Sequence, residues 1–183
     1  IYEGMPDEGG SLLGKFIYQK PKMWNVYQLE TFHLNKRLRG ISEICFVLRA
    51  KVHIKGFWFK RYNRAWQILV AGECDKIYGD SFERAGEEIH QIGNNVTIRF
   101  EQMDFGEKGT KSLVICGSTP LEKNTIILKF AKDGVEEQRM VEFMGTKTKQ
   151  SFEIEPIYGV NDVSLVFLPG SNFNFTSICF CEA

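Results

Sequence analysis

Gly93-Asn94-Asn95-Val96-Thr97-Ile98-Arg99-Phe100 decides how the rest of this chain is read. A glycine-asparagine turn signal leads into a run whose apolar and polar residues alternate: Val96, Ile98 and Phe100 on one side, Thr97 and Arg99 on the other. A side-chain period of two belongs to a strand with one buried face. Similar alternating or β-branched runs follow at 112–116, 125–130, 139–143, 151–154, 163–167 and 173–181, and precede it at 15–18, 25–32, 44–48 and 52–59. They are separated by Gly9-Gly10, 106–109, Lys132-Asp133-Gly134 and Leu168-Pro169-Gly170, the turn chemistry of antiparallel hairpins. No segment keeps a helical period for long, and residues 82–90 are the best candidate for a turn or two of helix. Many short strands with no interleaved helices predict an all-β fold, an antiparallel β-sandwich of jelly-roll type.

Composition narrows the function. The chain has 183 residues, 43% hydrophobic and 25% charged, enough for a packed core without disulfides, and its 15 phenylalanines fall mostly in the strand-like runs. Its 23 basic and 23 acidic residues cancel, so no field is available to hold a phosphate backbone, and no nucleic-acid partner is expected. No apolar run reaches the roughly 20 residues of a membrane span, so no membrane role is expected either. Residues 1–10 resemble neither a signal nor a transit peptide and read as a cut inside a longer protein. Cys45, Cys74, Cys116, Cys179 and Cys181 lack zinc-site spacing and read as five reduced thiols. The location stays unknown, with a cytoplasmic, reducing one favoured.

An internal echo bears on domain organisation. Residues 40–47 align with 159–166, and each segment runs on to an aromatic stretch, at 53–59 and 172–180. Read as a repeat, it divides the chain into an additional N-terminal β segment at 1–61, half of a preceding sandwich, and a nearly whole sandwich at 62–183. Read otherwise, it is the generic look of two hairpins.

No catalytic constellation stands out. His33, His53 and His90 are scattered, and neither a Gly-x-Ser-x-Gly elbow nor a phosphate-cradling glycine loop is present. The chain alone is therefore expected not to be an enzyme. Sugar recognition asks for a flat aromatic ring against the C–H face of a pyranose, with amide, carboxylate or guanidinium groups for its hydroxyls. Tyr78, in a turn-like stretch between Asp75 and Asp80, is one candidate ring; it could equally be a half-buried loop cover. Of Trp24, Trp58 and Trp66, Trp24 beside Lys20-Pro21-Lys22 is the preferred platform, against a core or interface role.

From 66 onward the chain resembles family 6 carbohydrate-binding modules and their galactose-binding-like relatives. The resemblance rests on Ala71-Gly72-Glu73-Cys74-Asp75, on 92–100, on Met103-Asp104-Phe105-Gly106, and on Gly159 with 163–167 and Phe173-Asn174-Phe175. The chain also resembles the C-terminal region of bacterial family 2 glycoside hydrolases of the β-galactosidase type, through Asn94-Asn95-Val96, Ile115-Cys116-Gly117, Asn124-Thr125-Ile126, Val141-Glu142-Phe143 and 167–173. These resemblances imply a sandwich that binds carbohydrate, a galactoside or plant-type glycan, through loops at one end or along a concave face. Asn174 by register and Asn172 by loop position would contact sugar. A structural calcium would lie near Glu73 and Asp75, and no other cofactor is implied. They also imply a parent enzyme whose catalytic domain lies outside this chain. The family's loop tryptophan has no counterpart in 145–150, which leaves a purely structural domain, packing on the catalytic part or on a subunit, as the alternative.

Overall fold

The structure, a computed structural model, describes residues 1–38, 40–60 and 62–182, and the chain divides into two compact units, Ile1–Lys60 and Arg61–Ala183. In the first unit, β1 (Tyr2–Glu3) pairs on either side with β2 (Ser11–Leu12) and β3 (Ile44–Cys45), in the order β2-β1-β3. The runs 15–18, 25–32 and 52–59, expected as strands, have no strand pairing. Strand propensity expresses itself only against a partner strand and a buried face. Leu13 is the only fully buried hydrophobic side chain among the unit's described residues, so the partner surface is lacking. Rings associate locally instead: Phe16 stacks on Phe32 at 4.7 Å, and Phe57 lies 4.8 Å from Phe46 and 5.8 Å from Phe59.

The second unit is the expected antiparallel sandwich. Its strands are β4 (Leu69–Val70), β5 (Lys76–Tyr78), β6 (Glu83–Ala85), β7 (Glu88–Ile92), β8 (Val96–Asp104), β9 (Thr110–Ser118), β10 (Lys123–Lys132), β11 (Val135–Met144), β12 (Lys149–Ile157), β13 (Val160–Phe167) and β14 (Phe173–Glu182). One sheet runs β11-β10-β13-β8-β5; the other runs β12-β9-β14-β7-β6, with β4 also on β14. The candidate helix at 82–90 is instead the β6–β7 hairpin. Gly86, at φ +64°, supplies the left-handed turn between Ala85 and its partner Glu88. The two segments of the internal echo differ in strand content: 159–166 forms β13 almost entirely, whereas in 40–47 only Ile44–Cys45 is strand.

Between the sheets lies a seam of phenylalanines. Phe105 meets Phe130 and Phe180 edge-on, at 6.4 and 5.1 Å, and Phe143 meets Phe173 edge-on at 5.0 Å. Val96, Ile98 and Phe100 face this core, as their alternation requires.

Two bulges share one construction. In β8, Glu101 and Gln102 together oppose the single residue Asp162; in β7, His90 and Gln91 oppose the single residue Asn174. Each second glutamine is left-handed, Gln102 at φ +58° and Gln91 at φ +51°. Its N–H donates to the facing side chain: Gln102 to Asp162 Oδ1 at 2.7 Å, Gln91 to Asn174 Oδ1 at 2.9 Å. A left-handed non-glycine residue costs about 1–3 kcal/mol and needs such a partner to persist.

Two predictions follow from this packing. Phe105→Ala should lower unfolding stability by about 3–5 kcal/mol in urea denaturation, since the ring is wholly enclosed and its neighbours belong to both sheets. Asp162→Asn should cost about 1–2 kcal/mol at neutral pH. Burial raises the Asp162 pKa, but the Gln102 N–H and the Arg99 guanidinium outweigh it and hold the carboxyl below its ordinary range. Because the folded value is the lower one, its contribution is complete above the unfolded pKa of about 3.9 and fades as pH falls through the folded value. The gap between wild type and variant should therefore close below about pH 4, read by denaturation at stepped pH.

Candidate functional site

The outer face of the five-stranded sheet carries two contrasting rows. Register places Tyr78, Thr97, Val166, Ile127 and Met140 side by side on five successive strands. At about 4.8 Å per strand, this largely apolar row is about 19 Å long. Tyr78 at 55% and Met140 at 73% exposure mark its ends. The next row is Lys76, Arg99, Ser164, Lys129 and Gln138.

Each cation of that second row is paired with an acid beyond it: Lys76 with Glu101 at 2.6 Å, Arg99 with Asp162 at 2.6 Å, and Lys129 with Glu136 at 2.8 Å. The pairings act on the groups' ionisation. The Asp162 hydrogen bond raises the Arg99 pKa, and the Lys129 hydrogen bond lowers that of Glu136. Arg99, Asp162 and Glu136 are thus each held in the charged form by a partner. The face combines an apolar strip with fixed charged donors and acceptors whose formal charges cancel.

One end of the sandwich adjoins Tyr78. The Gly93 N–H donates to the Ser81 carbonyl at 3.0 Å, and the Gly93 carbonyl accepts from Gly170 at 2.9 Å and Ser171 at 3.2 Å. These bonds draw together the loops after Tyr78, before Val96 and before Phe173. Asn172, exposed and left-handed at φ +44°, belongs to the last of them. The structure therefore brings Tyr78 and the Asn172 loop to the same end. Asn174 is exposed on β14 in the other sheet, with its side-chain oxygen engaged by the Gln91 bulge. Trp24 belongs to the first unit, in a turn and 91% exposed. Sequence reasoning missed Arg99, Lys129, Asp162 and Glu136. Their signal, alternation with the buried residues of β8, β10, β13 and β11, fixes a face but not which charges meet across strands.

One arginine engages the Asp75 carboxylate and the Glu73 backbone. The Arg64 guanidinium forms an ion pair with Asp75 Oδ2, donates to the Glu73 carbonyl at 3.3 Å, and lies 5.6 Å from the centre of the Phe100 ring. Asp75 Oδ2 also accepts the Glu101 N–H at 2.8 Å. Both side chains of the pair are largely enclosed, 12% and 8% exposed. Calcium requires six to eight oxygens, and no group of three or more His, Cys, Asp or Glu able to hold a metal occurs among the described residues. The Asp75 carboxylate is thus already engaged by the Arg64 guanidinium and the Glu101 N–H, so it is not the uncommitted oxygen donor that a calcium ion near Glu73 and Asp75 would need.

No protein-family model matches the chain, and no curated protein matches it. Solved structures do. A family 6 carbohydrate-binding module from Clostridium stercorarium, in complex with cellobiose, is 22% identical with a TM-score of 0.53, over 65% of this chain and 95% of that one. A family 6 module from Clostridium cellulolyticum, in complex with xylose, is 20% identical with a TM-score of 0.53, over 64% and 98%. A third family 6 module gives 21%, 0.54, 65% and 95%. Nothing in these neighbours points to a family 2 glycoside hydrolase. In architecture, the chain is similar to the β-sandwich of family 6 carbohydrate-binding modules.

Proposed function

We propose that the second unit is a non-catalytic carbohydrate-binding domain that lays a glycan chain across the open face of its five-stranded sheet. The observation that carries this is the apolar row ending at Tyr78, beside the row of three ion pairs. The C–H faces of successive sugar rings would rest on Val166, Ile127 and Met140, with one ring on Tyr78. Their hydroxyls would meet carboxylates and guanidinium already held in place by their partners. Asn172, at the Tyr78 end, would extend the contact. The cellobiose and xylose of the two named neighbours favour a plant-type glycan as ligand, and the β-galactosidase-type motifs add galactosides. The same motifs support a parent β-galactosidase-like hydrolase, with its catalytic domain as intramolecular partner.

A second reading has its own support. Trp24 at 91% and Trp58 at 69% exposure belong to a first unit with almost no core, as expected of a segment that packs on another domain. The chain would then be a structural domain of the enzyme and bind no sugar.

Calorimetric titration with cello- and xylo-oligosaccharides, lactose and galactose separates the two. Saturable binding at millimolar or better affinity is expected, weakened about tenfold by Tyr78→Ala, equivalent to about 1.4 kcal/mol. Absence of heat with every sugar would sink the binding reading. Loss of binding in Trp24→Ala but not in Tyr78→Ala would move the platform to the first unit and remove the sheet face from the account.

A further inference from the structure

The end of the sandwich away from the Tyr78 loops holds a cleft that the glycan face does not use. Its volume is about 330 Å³, and it opens between the β10–β11 turn and the β12–β13 turn. Phe130 and Ile157 form its apolar floor, Tyr158 and Val135 stand on its walls, and Lys132, Asp133 and Glu137 bring charge to it. Its opening has a backbone cause: β12 loses register on β9 between Glu153 and Ile157, with Pro156 inside the irregular stretch. A proline there removes a ladder donor, and a bulged edge strand bends away from its neighbour.

The Tyr158 ring is seated rather than loose. It lies so close over Gly109 that a β-carbon on that residue would come within 2.6 Å of the ring, while 51% of Tyr158 remains exposed. The Lys132 ammonium reaches the β12–β13 turn beside it, 2.9 Å from where a β-carbon on Gly159 would stand. A half-exposed ring held by backbone, with an ammonium and two carboxylates around one small cleft, has the chemistry that a single pyranose requires.

We propose that this cleft is a second sugar subsite, separate from the sheet face, which seats one terminal pyranose ring on Tyr158 with its hydroxyls toward Lys132, Asp133 and Glu137. The proposal rests on the carbohydrate-binding reading of the domain. A chain with two such places would hold a glycan at two points, or bridge two glycan strands, and so gain avidity without a tighter single site.

Amide chemical shifts of the full chain, titrated with cellobiose, xylobiose and lactose, test it. Shifts are expected at Asp133, Gly134, Tyr158 and Gly159, fitting a dissociation constant different from that of Thr97 and Val166. Tyr158→Ala should weaken the cleft response at least tenfold and leave the face response unchanged; Tyr158→Phe, which keeps the ring, should preserve it within about threefold. Lys132→Met, on an exposed side chain, should weaken the cleft response severalfold without unfolding the domain. Shifts confined to the sheet face would overturn the subsite and leave the carbohydrate reading intact. A cleft response that survives both Tyr158→Ala and Lys132→Met would also overturn it, and silence at both places would remove the carbohydrate reading as well.

Discussion

The seam of phenylalanine rings between the two sheets is the contact on which the second unit depends. Phe105 reaches Phe130 in one sheet and Phe180 in the other, and Phe143 closes on Phe173 across the same interior. Edge-to-face aromatic contacts add about 0.5–1.5 kcal/mol each to the area they remove from water, and they fix orientation as well as distance. With the inner faces committed in this way, each strand has one side left to present outward. That is why the outer face of the five-stranded sheet can carry a designed pattern of apolar and charged rows without endangering the fold.

The two bulges translate this packing into site geometry. Asp162 accepts the Gln102 N–H with one oxygen and meets the Arg99 guanidinium with the other, so a single carboxylate holds both the kink of β8 and the central ion pair of the face. Asn174 does the first of these jobs in the other sheet, its side-chain oxygen accepting the Gln91 N–H. The same device thus occurs in both sheets, and at Asp162 it is coupled to the ion pair of the candidate site.

The sequence shows the sandwich clearly where strands have partners and poorly where they do not. Residues 96–100 and 163–167 look alike as text to 25–32 and 52–59, but only the first two lie against neighbouring strands over the seam. The β6–β7 hairpin reads as a weak helix because Gly86 is an unremarkable glycine until its left-handed turn is seen. Among the candidate residues, Tyr78 and Asn172 are legible as an aromatic and an asparagine near turns. Arg99, Asp162, Lys129 and Glu136 are not, because an ion pair between strands far apart in sequence depends on register, and register is set by the whole sheet. The engagement of Asp75 is hidden for a related reason: nothing in the spacing of Glu73 and Asp75 reveals that Arg64 folds back onto the Asp75 carboxylate and the Glu73 backbone.

The charge pattern of the face also says what kind of ligand it suits. Lys76, Arg99 and Lys129 are each matched by a carboxylate within 2.8 Å, so the row is dense in directional donors and acceptors yet exerts almost no net pull at a distance. A polyanion gains little from such a surface, since every cation it would approach already has its counter-charge. A neutral polyhydroxylated chain loses nothing by the cancellation: its hydroxyls can accept from the ammonium and guanidinium groups and donate to the carboxylates at once. The pairing also holds these long side chains in place before the ligand arrives, which lowers the entropy lost on binding. The equality of 23 basic and 23 acidic residues across the chain is in keeping with this local arrangement; on the proposed reading, recognition would rest on contact geometry and stacking rather than on electrostatic attraction.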